Sequence, residues 1–287
     1  MSEITVRPMT PDDVDDTVRV QLAAFAAAGE TITLTQAQLA RTKSRHRYFI
    51  DHDQGGAWAA TVDAEIVGCG LALKREGLWG LSLLVVDPAT QSQGVGRQLL
   101  DATLRYAEGC ERAIIQSSSD SRAIRAYATS GFDLFPQMLA TGTPVVDAAP
   151  GSVNRVRVAG PADFAFADEV DRAVRGAARG ADHGFIEPGT DMYAVDDADG
   201  RGYVYRRDSD IYLLAATDDD TAAALLWRCF QRLAELDVEA AVDHLTAEQQ
   251  WAIDACITAR LKMAPGGPVF WRGATPPRSY LPSGAFL

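Results

Sequence analysis

One junction constrains the fold of this chain more than any other segment. An apolar strand passes through a glycine-containing loop directly into an amphipathic helix, between Val86 and Leu100. Gly94 and Gly96 have no Cβ atom, so their backbone can approach an anion closely and adopt dihedral angles that other residues resist. The helix that begins near Gly96 presents unpaired N–H groups and the positive end of its dipole. The junction therefore predicts a pyrophosphate site.

Two common phosphate-binding motifs do not fit this loop. It has no Gly-Lys-Ser or Gly-Lys-Thr ending, which a mononucleotide P-loop requires, and it lacks the third glycine and the acidic residue of a dinucleotide fingerprint. Gln91 and Arg97 add polar donors at its rim. A glycine pair before a helix also occurs where it only lets helix and strand pack closely, so the loop alone leaves a structural role open.

A second motif lies downstream of the loop. It has Asp120, Tyr127 and a Gly131-Phe132 ending at fixed spacing. Together with the pattern Gln-x-x-Gly-x-Gly after an apolar strand, it resembles the GNAT acetyltransferase superfamily, which implies coenzyme A as the pyrophosphate ligand and Tyr127 as the general acid. Asp120 replaces the more common Asn. Either residue caps a helix well, but any contact of the Asn amide with coenzyme A is left open.

A tyrosine suits the chemistry that the resemblance implies. Transfer of an acyl group from a thioester to an amine expels a thiolate, which needs a proton as the tetrahedral intermediate collapses. A phenol with an ordinary pKa of about 10 is protonated at neutral pH and can donate that proton. The structural alternative makes Tyr127 a core aromatic residue beside Ile124 and Ala128.

The cofactor contacts follow from the resemblance. In GNAT proteins the strand before the loop splays from its neighbour, and its free backbone groups align the pantetheine and polarise the thioester carbonyl. The residues assigned to cofactor binding in this way are Leu84, Val85 and Val86 on the strand, Gln91, Ser92, Gln93, Gly94, Val95, Gly96 and Arg97 on the loop and helix start, and Asp120.

The general base is not identified by any pattern. Glu30, Glu76 and Asp87 are acidic and lie near expected loop or strand ends, but a chain of waters serves equally well. No histidine has metal-ligand spacing, so we expect no metal. His46 and His52 lie in a polar stretch that favours the surface.

The start of the chain recurs near its midpoint. The pattern Val-Arg-x-x-x-Pro-x-Asp begins at Val6 and again at Val156, each time as a short strand followed by a helix start. Proline and acidic residues favour the first turn of any helix, so one match is explicable as local chemistry. Because the pattern recurs, and the second half repeats the element order, we predict a duplicated fold.

The second half differs at the position of the phosphate loop. There the chain reads Thr217-Asp218-Asp219-Asp220-Thr221. Carboxylates at a helix N-terminus stabilise the helix, by about 0.3–1 kcal/mol each, and repel an anionic cofactor. We therefore predict that the second half is a degenerate GNAT-like domain without coenzyme A.

These observations predict an α/β (α+β) chain with two tandem GNAT-like domains, each a mixed, mostly antiparallel sheet flanked by helices. The predicted boundaries are a catalytic domain over 1–142, a linker over 143–153 and the degenerate domain over 154–287. A strand over 132–139 and a helix running to Lys262 belong to these predictions. The apolar tail 279–287 is expected to dock, either over a domain interface or as a wall of the acceptor pocket.

The composition of the chain limits the kinds of molecule that it is expected to bind. The chain of 287 residues has 27 basic and 39 acidic residues and a formal net charge of −12, which argues against nucleic acid or an anionic membrane and mildly favours cationic acceptors. Alternatively, the excess of acidic residues only forms a solvated surface and indicates no particular acceptor. Four scattered cysteines indicate small core residues in a reducing compartment. Without a signal segment or a long apolar run, we expect a soluble cytoplasmic protein.

The function predicted from the sequence is transfer of an acetyl group from acetyl-CoA to the primary amine of a small molecule by direct attack. The alternative is a non-catalytic acyl-CoA sensor or scaffold protein, since fold alone does not establish catalysis. We expect a monomer or homodimer. An enzyme that acylates the cysteinyl amine of a thiol cofactor also has a tandem plan, but no residue singles out that acceptor.

Overall fold

The computed structural model describes residues 3–29 and 34–287. These residues form two compact units. The first extends to Ile115 and includes Leu287, and the second spans Gln116–Phe286. In each unit, helices flank a mixed sheet whose strands are mostly antiparallel, which confirms the predicted fold class.

The first unit carries the sheet order β1-β2-β3-β4-β5, in which only the β4–β5 pair is parallel. Short 3-10 turns at Pro11–Asp13 and Pro88–Thr90 precede α1 and α3. Its elements are β1 (Ile4–Pro8), α1 (Val14–Ala27), α2 (Gln36–His52), β2 (Ala57–Val62), β3 (Glu65–Arg75), β4 (Leu78–Val86), α3 (Val95–Arg105) and β5 (Arg112–Gln116).

The second unit carries the sheet order β13-β7-β12-β11-β10-β9-β8, with β15 on β11, and β14 pairs with β6. Its elements are α4 (Ser121–Ala128), β6 (Asp133–Phe135), β7 (Met138–Gly142), β8 (Arg157–Ala159), α5 (Phe164–Val174), α6 (Asp182–Ile186), β9 (Asp191–Asp197), β10 (Gly200–Arg207), β11 (Asp210–Ala216), α7 (Asp219–Glu235), β12 (Ala240–Leu245), α8 (Gln250–Thr258), β13 (Lys262–Pro265), β14 (Val269–Arg272) and β15 (Tyr280–Leu281).

The repeated sequence pattern forms the same local structure in both units. In the first, Arg7 pairs with Asp13 at 2.7 Å, and the Asp13 carboxylate also accepts a hydrogen bond from a backbone N–H three residues earlier. In the second, Arg157 pairs with Asp163 at 2.6 Å with the same backbone contact. Both carboxylates close the turn that begins a helix, so the repeat has a structural cause in both units.

The sheet registers also correspond. Gly68 of β3 lies opposite Val86 of β4, and Gly202 of β10 lies opposite Ala216 of β11. A Cβ atom on either glycine would lie 2.9 Å from a leucine of the helix that follows, α3 or α7. Each glycine therefore lets a helix pack closely on its sheet, and the two positions are equivalent.

Two predicted elements were wrong in extent. The strand over 132–139 is divided into β6 and β7 around Pro136, which has no N–H to continue a ladder. The helix predicted to reach Lys262 ends at Thr258, because Arg260 adopts a φ of 61° and the chain turns into β13.

The predicted linker 143–153 lies inside the second unit. β7 precedes it in sequence but pairs with β12 and β13, which follow it. The division into a catalytic domain over 1–142 and a degenerate domain over 154–287 stays a prediction.

Three of the four cysteines occupy core positions, as expected: Cys69, Cys229 and Cys256 are buried, whereas Cys110 is partly exposed. None of the four forms a disulfide. Burial raises the pKa of each of these three thiols to about 12, so they are protonated at neutral pH and unreactive.

The expected surface position of His46 was wrong. Its side chain is fully buried between α1 and α2, where one ring nitrogen lies 2.9 Å from Thr17 Oγ1 and the other 2.9 Å from Gln21 Oε1. The polar residues around it in sequence point elsewhere on α2. Burial, with a smaller contribution from Arg45, lowers the pKa of His46 to about 3.

We expect His46 to make the protein acid-sensitive. The folded state holds the imidazole neutral, whereas the unfolded chain protonates it near pH 6.5, so the stabilisation is complete above pH 6.5 and is lost as the pH falls toward 3. Between pH 7 and pH 5 this group should reduce the free energy of unfolding by about 2 kcal/mol. Urea unfolding at both pH values should show that loss in the wild type and a smaller loss in His46→Gln. Equal losses would contradict the assignment.

Candidate functional site

The edge of β4 opens toward the phosphate loop. β4 pairs with β3 up to Val86, but its parallel register with β5 runs only from Leu78 to Leu81. The register between β3 and β4 also shifts near Leu71. This shift separates the part of β4 that pairs with β5 from the part that does not. β4 therefore continues beyond its register with β5, which is the splay that the family resemblance implies.

Backbone direction places donors on this open edge. The N–H of Asp87 donates to Val67 O at 2.7 Å, on the β3 side. Because successive N–H groups of a strand point to opposite edges, the N–H groups of Val86 and Leu84 point away from β3. Val85 is buried between them. Of the three strand residues predicted to align the cofactor, Leu84 and Val86 thus present backbone groups at the open edge, whereas the backbone groups of Val85 face β3.

The loop after β4 is held in shape by its own contacts. The Asp87 side chain accepts a hydrogen bond from Ala89 N at 2.9 Å, and Gln91 Nε2 donates to Val86 O at 3.3 Å. Ser92 and Gly94 adopt φ angles of 64° and 91°. Gln91 is thereby tied to the strand, while Ser92, Gln93 and Gly94 are exposed.

The helix end at this loop is available to an anion. Gly94 is the N-cap residue of α3 and has no side chain to accept from the first-turn N–H groups, and no acidic residue lies in that turn. A Cβ on Gly96 would lie 3.5 Å from Val86 Cγ2, at ordinary contact distance. Arg97 is half exposed and pairs with Asp101 at 3.0 Å on the same helix. Backbone donors and the helix dipole together favour a phosphate here.

The corresponding helix end in the second unit is closed. Asp218 caps α7 by accepting from Thr221 N at 2.8 Å, and two more carboxylates occupy the first turn. The turn is also shorter, because Leu225 follows Ala216 by nine positions and Leu99 follows Val86 by 13. An anion would meet three carboxylates where α3 offers free N–H groups.

Tyr127 lies on α4 and is 5% exposed. Its ring packs edge-on against Phe270, with centroids 5.5 Å apart. Burial, and to a lesser extent the charge of Asp120, raises its pKa above the ordinary value of a phenol. Among the residues that the structure describes, its hydroxyl makes no hydrogen bond. The phenol is therefore a neutral proton donor whose proton is not committed to a neighbour.

Asp120 begins α4. Its carboxylate caps the helix by accepting from Arg122 N at 2.8 Å and pairs with the Arg122 guanidinium at 2.7 Å. The hydrogen bond from the Arg122 side chain, opposed by partial burial, lowers the pKa of Asp120. The capping role expected for this aspartate is present, and contact with coenzyme A stays a prediction.

The predicted site residues therefore form two groups. Those of β4, the loop and α3 come together in the first unit, and Asp120 and Tyr127 share α4 in the second. Of the candidate bases, Glu30 lies outside the described residues, Glu76 lies in the turn at the other end of β4, and Asp87 caps the turn before the loop.

One acidic cluster was not predicted. Asp168, Asp171 and His183 have ligand atoms within 4.8 Å of one another. Arg179 Nε lies 3.3 Å from Asp171 Oδ2, and Tyr203 donates to the same oxygen at 2.8 Å. The Arg179 guanidinium therefore already supplies positive charge to the buried Asp171, while Asp168 is partly exposed. The expectation of no metal in the reaction stays a prediction.

No helix within 3–29 or 34–287 combines the length and the apolar character needed to cross a membrane.

Comparison with known proteins agrees with this geometry. Residues 23–138 match the family model of an acetyltransferase (GNAT) domain. The mycothiol acetyltransferase of Clavibacter michiganensis subsp. michiganensis is 33% identical over 112 residues, which are 38% of this chain and 36% of that protein. The mycothiol acetyltransferase of Streptomyces avermitilis is 30% identical over 135 residues, 45% of this chain and 42% of that protein. The matched part thus spans less than half of either relative.

The fold extends the similarity over the whole chain. A crystal structure of a Pyrococcus horikoshii protein assigned to the acetyltransferases superposes with a TM-score of 0.76 at 18% identity and covers 98% of this chain and 95% of that chain. At this identity the match shows the fold alone. The family match therefore identifies residues 23–138 of the chain as a GNAT acetyltransferase domain.

Proposed function

We propose that the chain transfers the acetyl group of acetyl-CoA to the primary amine of a small molecule by direct attack of the amine on the thioester. The acceptor nitrogen, as the free amine, forms a bond to the acetyl carbon and loses a proton to solvent water. The carbon–sulfur bond breaks, the thiolate of coenzyme A takes up the proton of the Tyr127 hydroxyl, and solvent reprotonates that phenol. The only residue to which we assign chemistry is Tyr127, as the proton donor.

The α3 N-terminus carries this proposal. Its first-turn N–H groups have no capping side chain, and it follows the open edge of β4. An extended ligand with an amide-containing arm and a phosphate end, such as coenzyme A, matches a strand edge followed by a helix N-terminus. Leu84 and Val86 would bind the arm through backbone groups, with Val85 between them facing β3, and the loop from Gln91 to Arg97 would bind the pyrophosphate.

The acceptor is proposed from charge and from the named relatives. The excess of acidic over basic residues favours a cationic molecule. The similarity to two mycothiol acetyltransferases makes the cysteinyl amine of a thiol cofactor the first acceptor to assay. A cytoplasmic location and a monomeric or homodimeric state stay predictions, as does the absence of nucleic-acid and membrane partners.

The variant Gly96→Ala is expected to change stability and acetyl-CoA affinity in opposite directions, so it distinguishes an effect on cofactor binding from an effect on folding. Position 96 is helical and has room for a methyl group, so alanine should stabilise the protein, by about 0.5–1 kcal/mol, through its higher helix propensity. The same methyl group lies where the phosphates approach the backbone. We expect acetyl-CoA to bind at least about tenfold more weakly, which is about 1.4 kcal/mol, when measured by calorimetry. Gly94 is less suitable, because its φ of 91° would strain any side chain.

The matched control is Gln98→Ala, an exposed position on the same helix. It should leave the affinity for acetyl-CoA unchanged. If Gly96→Ala binds acetyl-CoA as tightly as Gln98→Ala, the cofactor does not lie at this helix end and the proposal is wrong.

A further inference from the structure

The second unit has a strand edge equivalent to the open edge of β4. β11 pairs in parallel with β12 only at Asp210 opposite Ala241, and the two strands then part. Ala216 at the end of β11 occupies the position of Val86, because each lies opposite the equivalent glycine, Gly202 or Gly68. Leu214 and Ala216 therefore correspond to the cofactor-aligning strand residues of the first unit.

In the second unit this edge is filled by the C-terminal segment of the chain. β15 pairs antiparallel with β11, with Leu281 opposite Leu214 and Tyr280 opposite Ala215. The N–H of Ala216 donates to Ser279 O at 3.0 Å. β15 also contacts β12, so it lies between the two parted strands. Extended backbone thus makes the kind of strand-edge contact that the arm of a cofactor would make.

The same segment reaches the closed N-terminus of α7. Arg278 donates to Asp219 Oδ2 at 2.7 Å, and Ser279 Oγ donates to Asp219 Oδ1 at 2.7 Å. The side chain of Asp220, the next residue, makes no hydrogen bond or ion pair with the other described residues. The segment therefore contacts the N-terminus of α7 through the Asp219 carboxylate. This helix end is equivalent to the α3 N-terminus, where we place the cofactor phosphate in the first unit.

Buried contacts hold the remainder of the segment. Arg179 donates to the hydroxyl of Tyr280 and to the carbonyl of Phe286, both at 2.5 Å. Ser283 Oγ accepts from the N–H groups of Ala285 and Phe286 at 3.1 Å each. Tyr280, Leu281 and Phe286 are almost fully buried. This is the docking that the apolar tail led us to expect.

We infer that the segment 278–286 is an internal ligand of the second unit: it occupies, from the start of α7 along the edge of β11, the groove equivalent to the one proposed for acetyl-CoA in the first. The second unit is therefore a groove for extended peptide backbone and not for a nucleotide cofactor. Acidic residues at α7 do not merely exclude phosphate; Asp219 binds the peptide that replaces it.

Hydrogen exchange of the full chain tests this inference without any added ligand. Asp219→Asn removes the charge that holds Arg278 and Ser279, and Asp220→Asn removes the same charge at the adjacent position without that contact. We expect Asp219→Asn to accelerate exchange about tenfold at the Ala216 amide and across 278–286, since hydrogen bonds to charged groups are the strong ones. Asp220→Asn should match the wild type. Equal effects of the two variants would overturn the inference.

A second arm adds saturating acetyl-CoA to the wild type. Exchange at Leu214 and Ala216 should be slow before addition and unchanged after it. Fast exchange before addition, or new protection after it, would show that the peptide does not occupy the groove. The variant arm is independent of acetyl-CoA, so failure of the proposed function and failure of this inference give different results.

Discussion

Tyr127→Phe is expected to reduce kcat by about 10²–10⁴ while leaving the Kd for acetyl-CoA unchanged, because a positioned general acid contributes in that range. Phenylalanine keeps the edge-on contact with Phe270 and removes a hydroxyl that has no hydrogen-bond partner among the described residues. Folding should therefore be unaffected. The raised pKa of Tyr127 also predicts that ionisation of this phenol does not reduce the wild-type rate as the pH rises from 7 to 9.

Tyr106→Phe is the matched control. The Tyr106 hydroxyl donates to Asp53 at 3.1 Å in the first unit and is assigned no role in the reaction. This variant should lower stability and keep kcat. If Tyr127→Phe keeps the wild-type kcat, Tyr127 is not the proton donor and this assignment is wrong. If neither the wild type nor the variant turns over any amine although acetyl-CoA binds, the alternative of an acyl-CoA sensor or scaffold is supported.

Arg179→Met is expected to destabilise the second unit by about 3–5 kcal/mol, since removal of one partner of a buried ion pair leaves an uncompensated charge. Arg179 and Asp171 are both fully buried, and the guanidinium also binds two groups of the C-terminal segment. Methionine preserves the apolar stem but supplies no positive charge for Asp171. Urea unfolding followed by circular dichroism measures the loss.

Arg201→Met is the control for this loss. Arg201 pairs with Glu169 and Asp196 at the surface, where exposed pairs contribute about 0–1 kcal/mol. If Arg179→Met lowers the free energy of unfolding by less than about 1 kcal/mol, the positive charge of Arg179 does not stabilise the buried Asp171 carboxylate, and the expectation is wrong.

The sequence allowed the local part of this structure to be predicted. Strand periodicity, the loop glycines and the Asp120 cap depend on neighbouring residues, and the repeated Val-Arg-x-x-x-Pro-x-Asp pattern forms the same ion-paired turn in both units. The start of α8 shows the limit: Thr246 and Gln249 have the spacing of a capping box, and Gln249 Oε1 does accept from Thr246 N at 2.9 Å, but α8 begins only at Gln250.

Long-range contacts could not be predicted in this way. Nothing local indicates that β7 pairs with β12, or that β15 fills the edge of β11. The polar neighbours of His46 in sequence wrongly predict a surface position, because its partners Thr17 and Gln21 lie on another helix. The acidic cluster at the start of α7 predicts repulsion of an anion but not the residues that Asp219 binds. The position of Arg278 and Ser279 at the start of the apolar tail is the one sequence signal for these partners.

The central claim is that the first unit binds acetyl-CoA and the second unit binds its own C-terminal segment. Calorimetric titration of the full chain with acetyl-CoA tests it most directly, because it counts sites as well as measuring affinity. We predict one site per chain. Two sites would show that the second unit also accepts the cofactor, and no binding would show that the α3 N-terminus is not a cofactor site; either result would contradict the account.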